Sequence, residues 1–155
     1  MNREHDKAIS ESKKAITLNP NGAWSNFWLG HIFIFAGKPE EAIPYLQAAI
    51  RLDPFSRSGY FTHLCMAYRE AGRYEEAIAA GQEAIRGKPN LVFAHLALAS
   101  AYSMIGREEE ARAEAAEALR IDPNFSLKDY AKARPHIDPE NTARFVDSLV
   151  KAGLK

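Results

Sequence analysis

The chain is poor in cysteine, in the β-branched residues valine and threonine, and in net charge. Cys65 is the one cysteine in 155 residues, so neither an intramolecular disulfide framework nor a cysteine-built zinc site can form. Valine and threonine occur three times each, which argues against a β-rich fold because these side chains favour strands. Lys+Arg and Asp+Glu balance at 20 each, whereas phosphate-driven binding of nucleic acid needs clustered cations. The longest apolar-rich stretch, Leu91–Tyr102, has 12 residues and includes His95 and Ser100, against roughly 18 or more for a membrane span. Met1 to Lys7 are polar and hold no apolar signal-peptide core. The expectation is a soluble, reduced, cytoplasmic protein with neither nucleic acid nor membrane as partner.

Catalytic motifs are absent as well. The sequence has no glycine-rich phosphate loop, no H-E-x-x-H and no G-x-S-x-G. Cys65 and His63 lie two residues apart and so point to different sides of a helix, which is no arrangement for a nucleophile and its base. Glu108-Glu109-Glu110 reads as a solvated helix start, with Glu108 and Arg112 at pairing distance. No catalytic residue, cofactor or enzymatic activity is assigned.

Alanine is abundant, at 26 residues, and it is the strongest helix former. Much of it falls in register. Asn19-Pro20, Asp53-Pro54, Lys88-Pro89 and Asp122-Pro123 recur at intervals of 34, 35 and 34 residues. Ala8, Ala42, Ala77 and Ala111 keep the same intervals, as do Ala15, Ala49, Ala84 and Ala118. Leu29, Leu64 and Leu98 form a further column, followed four residues on by Phe33, Tyr68 and Tyr102. Gly37, Gly72 and Gly106 complete the pattern. Such a period marks stacked supersecondary units.

Each unit reads as two helices. In the first, apolar residues recur at helical spacing from about Ala23 to Ala36, and Gly37 supplies a left-handed stop. Pro39, at a tolerated first-turn position, and the acids Glu40 and Glu41 open the second helix. It runs to about Leu52, where Asp53-Pro54 breaks it. Alanine in the Ala42 and Ala49 columns lets neighbouring helices approach closely.

Leu29, Gly30, Phe33, Ala42, Leu46, Ala49 and Pro54 together resemble the tetratricopeptide repeat motif. So do Leu64, Cys65, Tyr68, Ala77, Gly81, Ala84 and Pro89, and then Leu98, Ala99, Tyr102, Ala111, Ala115, Ala118 and Pro123. The resemblance covers about residues 1–125. It implies an all-α fold, a right-handed α-solenoid of antiparallel helix pairs with about three and a half units and a C-terminal helical cap. The expected divisions are a half repeat over 1–22 (second helix only), units over 23–56, 57–91 and 92–125, and capping helices over 126–155. The missing first helix favours a chain cut from a longer protein over a gene that starts at a half-repeat.

Three features depart from the pattern. Gly81 and Ala115 stand where a larger residue is usual, and one extra residue falls between Pro54 and Tyr60, expected in the Ser56–Gly59 turn. Pro44, inside a helix, should remove one backbone hydrogen bond near Glu40 and bend the helix slightly. After Phe125 the expectation is a short helix over Ser126–Arg134 and a turn at Pro135-His136-Ile137. Asp138-Pro139 then starts a second helix with an apolar stripe of Phe145, Val146, Leu149 and Val150. Phe125-Ser126, Arg134-Pro135, Asp138-Pro139 and Lys151–Leu154 also resemble the tails of bacterial modules that follow class III nucleotide cyclase or winged-helix regulator domains.

The resemblance implies binding on the concave face lined by first helices. It places Trp24, Phe27, Trp28, His31 and Phe35 on or beside that groove, then Thr62, His63, Met66 and Arg69, then Phe93. Family members that clamp terminal carboxylates use Lys, Asn and Arg, but the five matching positions here are Phe27, His31, His63, Phe93 and Ala97, so acidic chaperone tails are not expected. The function implied is non-catalytic binding of a peptide or protein segment with an apolar or aromatic anchor, His31, His63 and Arg69 fixing its orientation. Packing against the helix of residues 3–18 competes with this role, favoured for Trp28 but not for Trp24 and Phe27, and left open for Phe93. His31 and His63 without a carboxylate or thiolate in register make no metal site. Two other functions stay open: a regulatory arm of a bacterial nucleotide cyclase or transcription regulator, and self-association, including a homodimer through the uncovered N-terminal helix around Ala8, Ala15 and Ile16.

Overall fold

A computed structural model describes residues 3–19, 21–133 and 139–155, without the side chains of residues 3–5 and 133. The expected features at Pro20, Arg134, Pro135-His136-Ile137 and Asp138 lie outside the described residues. Among the described residues the chain is helical without strands: α1 (Arg3–Leu18), α2 (Ala23–Phe35), α3 (Pro39–Leu52), α4 (Arg57–Glu70), α5 (Tyr74–Gly87), α6 (Val92–Met104), α7 (Glu108–Ile121), α8 (Leu127–Ala133) and α9 (Pro139–Lys151).

Three hairpins, α2–α3, α4–α5 and α6–α7, share one construction. Gly37, Gly72 and Gly106 have φ of 71°, 75° and 76°, the left-handed region that glycine enters without a Cβ penalty. The next amide then bonds back across the turn: Lys38 N–H to Phe33 O (2.9 Å), Arg73 N–H to Tyr68 O (2.8 Å), Arg107 N–H to Tyr102 O (3.0 Å). These Schellman closures satisfy carbonyls that a helix end leaves unpaired. Each second helix then opens on acids facing its positive dipole end: Glu40 and Glu41, Glu75 and Glu76, Glu108 to Glu110. α3 continues through Pro44.

Hairpins stack in chain order, α3 on α4 and α5 on α6, while α2, α4 and α6 lie side by side as one wall. That is an α-solenoid, its inner face lined by the first helix of each pair. Ala42, Ala49, Ala77, Ala84, Ala111 and Ala118 are all buried. Side-chain bonds repeat with the stack: Gln47 Nε2 donates to Tyr68 Oη (3.1 Å) and Gln82 Nε2 to Tyr102 Oη (3.0 Å).

Gly81 fits its surroundings. A Cβ there would stand 2.6 Å from Leu98 Cγ and 3.2 Å from Cys65 Sγ, so Leu98 already fills the space. At Gly30 the relation is mirrored, with Leu46 Cγ 2.7 Å from an added Cβ. The extra residue after Pro54 makes no looser turn. α4 begins at Arg57 and has 14 residues against 13 in α2 and α6, so the insertion is taken up as helix. Asp53 Oδ1 accepts from the amides of Phe55 and Ser56 and holds the entry.

His95 is buried in α6. Its Nδ1 lies 2.6 Å from Glu114 Oε2 on α7, and its Nε2 lies 2.7 Å from Pro89 O. Both partners can accept, so the protonated ring can donate from both nitrogens. Burial pulls its pKa down, but the bonds to Glu114 and Pro89 outweigh that and leave it raised.

Candidate functional site

The inner wall divides into two halves. Along the N-terminal halves of α2, α4 and α6 runs an aromatic surface. Trp24 and Trp28, one turn apart on α2, meet edge to face at 5.5 Å between ring centroids, and Trp24 stacks on Phe27 at 5.5 Å. Phe27 turns inward to Tyr60 (5.2 Å) and to the edge of His63 (4.7 Å) on α4. His31 bridges the helices, 5.1 Å from Trp28, 4.7 Å from Phe35 and 5.2 Å from His63. His63 Nδ1 lies 3.0 Å from Gly59 O; the carbonyl can only accept, so Nδ1 carries the proton.

Burial exchanges the roles expected of two neighbours. Trp28 is 41% exposed and Phe27 only 9%. Phe27 sits where α2 meets α4 and packs there, which leaves Trp28 facing outward beside Trp24, itself 61% exposed. Beyond His63 the surface dips into a pocket of about 130 Å³ between α4 and α6, lined by Gly59, Thr62, His63, Met66, Leu91 and Phe93. Thr62 and Met66 are buried in its wall, and the Thr62 hydroxyl donates to Ser58 O. Phe93, 43% exposed, faces Tyr130 of α8 at 5.9 Å.

The C-terminal half of the wall is covered by α9. Phe145 lies on the Arg69 guanidinium, with Cζ 4.2 Å from the ring centroid. Arg69 is buried, pairs with Glu70 at 3.1 Å and reaches Ser100 Oγ at 3.4 Å. Ser148 donates to Phe145 O (2.7 Å) and so accepts from Ser100 at 2.6 Å. Burial pushes the Glu70 carboxyl above its ordinary range, opposed by Arg69 and Arg144. Arg69 is therefore engaged with α6 and α9 rather than directed into the open groove. The α9 stripe is also rotated from expectation: Ser148 is 2% exposed and Val150 53%, because Ser100 offers the buried hydroxyl a partner.

Cys65 is fully buried, and burial pushes its thiol up to about 12. Among the described residues no three His, Cys, Asp or Glu side chains stand together to hold a metal, and no helix is long and apolar enough to cross a membrane. Tyr60, Leu91, Ser148 and Tyr130 also line or adjoin these surfaces, beyond the residues expected from the sequence. Only the helical phase of Tyr60 and Leu91 relative to His63 and Phe93 carried a signal for them.

Tetratricopeptide repeat family models match residues 2–57, 27–92 and 68–137. The chain belongs to the tetratricopeptide repeat family. No curated protein matches it in sequence. Solved structures of MamA superpose well. One, a crystal structure of MamA, has a TM-score of 0.72 at 21% identity, over 96% of this chain and 88% of that one. MamA from Desulfovibrio magneticus RS-1 gives 0.72 at 19% identity, over 79% and 69%. MamA AMB-1 gives 0.65 at 26% identity, over 76% and 68%. As a tetratricopeptide repeat protein the chain is a protein–protein interaction module, and its inner wall is the surface to examine for a partner.

Proposed function

We propose that the open, aromatic half of the inner wall binds a segment of another protein through an apolar or aromatic anchor. The observation that carries this is the exposure of Trp24 and Trp28 beside the pocket of Thr62, His63, Met66, Leu91 and Phe93. Trp is enriched at binding hot spots, and a few anchors rather than contact area set the affinity. The anchor enters between α4 and α6 and the flanking chain lies on the two Trp rings, while His31 and His63 supply polar contacts. The carboxylate-clamp positions bear Phe27, His31, His63, Phe93 and Ala97, so the anchor is a side chain rather than a terminal carboxylate. A reducing, cytoplasmic setting suits the buried thiol of Cys65.

Selection from a displayed random-peptide library tests this. Sequences with an aromatic or large aliphatic residue should be enriched, and the Trp24→Ala, Trp28→Ala double variant should bind them at least about ten-fold more weakly. Equal binding by wild type and double variant rejects the site. A second reading, self-association through α1, is favoured by Leu18, 87% exposed, and by the exposed Ala15. Light scattering that shows only monomer across concentrations removes it.

A further inference from the structure

The seam beneath α9 mixes an apolar part, where Leu149, Ala152 and Leu154 are buried, with polar ground on the inner wall. That polar ground contains the cation Arg69, the carboxylate Glu70 and the hydroxyl Ser100, with Phe145 and Ser148 laid on them. These groups would be hydrated without penalty if α9 left, whereas a surface meant for lasting burial is usually apolar. A crevice of about 20 Å³, room for one water, opens at the edge of the seam where Arg69, Glu70 and Asn141 meet Tyr74, Met104 and Phe145. α9 packs on α6, with Ser148 at Ser100, lays Phe145 on Arg69 of α4, and brings Asn141 near Gly37 after α2. A Cβ at Gly37 would stand 4.0 Å from Asn141 Nδ2. It thus lies where a ligand of the solenoid would lie.

We infer that this surface is a second recognition site, for an amphipathic helix of a partner protein, and that α9 is its built-in occupant. The fit of α9 defines the ligand: an aromatic ring to cover Arg69, a serine or other small hydroxyl three residues on to meet Ser100, and a leucine at the fourth. Phe145, Ser148 and Leu149 meet these requirements, with 6%, 2% and 0% exposure. The order of hydrogen bonds, Arg69 to Ser100 to Ser148 to the Phe145 carbonyl, is one that any helix with this spacing can complete. A partner helix takes the site when it outcompetes the tethered one. The inference is independent of the aromatic half.

The probe is a labelled synthetic peptide of residues 139–155, titrated into the full-length wild-type chain and into full-length Phe145→Lys, which sets a second cation against Arg69. The variant should bind the peptide at least about ten-fold more tightly than wild type, whose tethered helix competes at a millimolar-scale effective concentration. The same peptide carrying Phe145→Lys should not bind. Trp24→Ala with Trp28→Ala should leave this binding unchanged, which separates it from the aromatic-site proposal. Amide exchange of the wild-type chain is the second arm, and decides alone should the variant fail to fold by circular dichroism. α9 amides should exchange at least about ten-fold faster than those of α6. A folded variant that ignores the peptide, or α9 protected as long as α6, makes α9 a permanent cap and overturns the inference.

Discussion

Two buried residues are placed so that small changes have large readouts. Gly81 faces Leu98 with no room for a methyl group, so Gly81→Ala should cost about 1–3 kcal/mol in urea unfolding, the usual range for overpacking. An unchanged midpoint would mean that Leu98 relaxes freely. His95 links α6 to α7 through Glu114, with its folded pKa raised above the ordinary 6.5. Protonation therefore favours the fold. Its contribution is complete below the unfolded pKa and is lost as pH rises through the raised folded value. The stability gap between wild type and His95→Gln should be largest in mildly acidic solution and shrink toward alkaline pH. A gap independent of pH would show that the ring acts through shape alone.

At the scale of the helix, turns and inter-unit bonds repeat with the sequence. A Cβ at Gly72 or Gly106 would touch nothing within 4 Å, so alanine there suffers only from the left-handed backbone. Each substitution should cost roughly 1 kcal/mol and lower the melting temperature by similar amounts. A much larger loss at one site would reveal a contact beyond the turn. The Gln47 and Gln82 bonds to the next unit's tyrosine end with the stack: the corresponding position in α7 is Ala116, exposed. This glutamine–tyrosine link thus joins consecutive repeats and has no counterpart at Ala116. α9 obeys a different logic, its serine turned inward and a valine outward, because its surroundings were chosen by the inner wall rather than by the repeat.

For the whole molecule, stability in a solenoid is a sum over units and their neighbours. α1 packs on α2 and buries Ile9, while α4 to α6 are flanked on both sides. Amides of α1 should exchange fastest among α1–α7 and those of α4–α6 slowest; uniform protection would mean that the repeats unfold as one cooperative block. If His31 and His63 contact the bound segment, His31→Ala with His63→Ala should weaken binding of selected peptides several-fold. Unchanged affinity in that double variant would take the two rings out of the recognition.

The periodic columns determined the fold from sequence: glycines at hairpin turns, alanines at helix crossings and prolines between units each answer a local geometric need, and local needs are written locally. The aromatic surface was partly legible for the same reason, since Trp24, Phe27, Trp28 and His31 follow helical phase. Which of two adjacent rings faces out was not, because Phe27 and Trp28 were sorted by Tyr60 and His63 on the next helix. The fate of Arg69 was less legible still. Its partners Ser100 and Phe145 lie 31 and 76 residues away in the chain, and whether α9 folds back over the inner wall depends on contacts that exist only once the solenoid is assembled. Local periodicity specified the scaffold; only tertiary packing decided which half of the groove stands open.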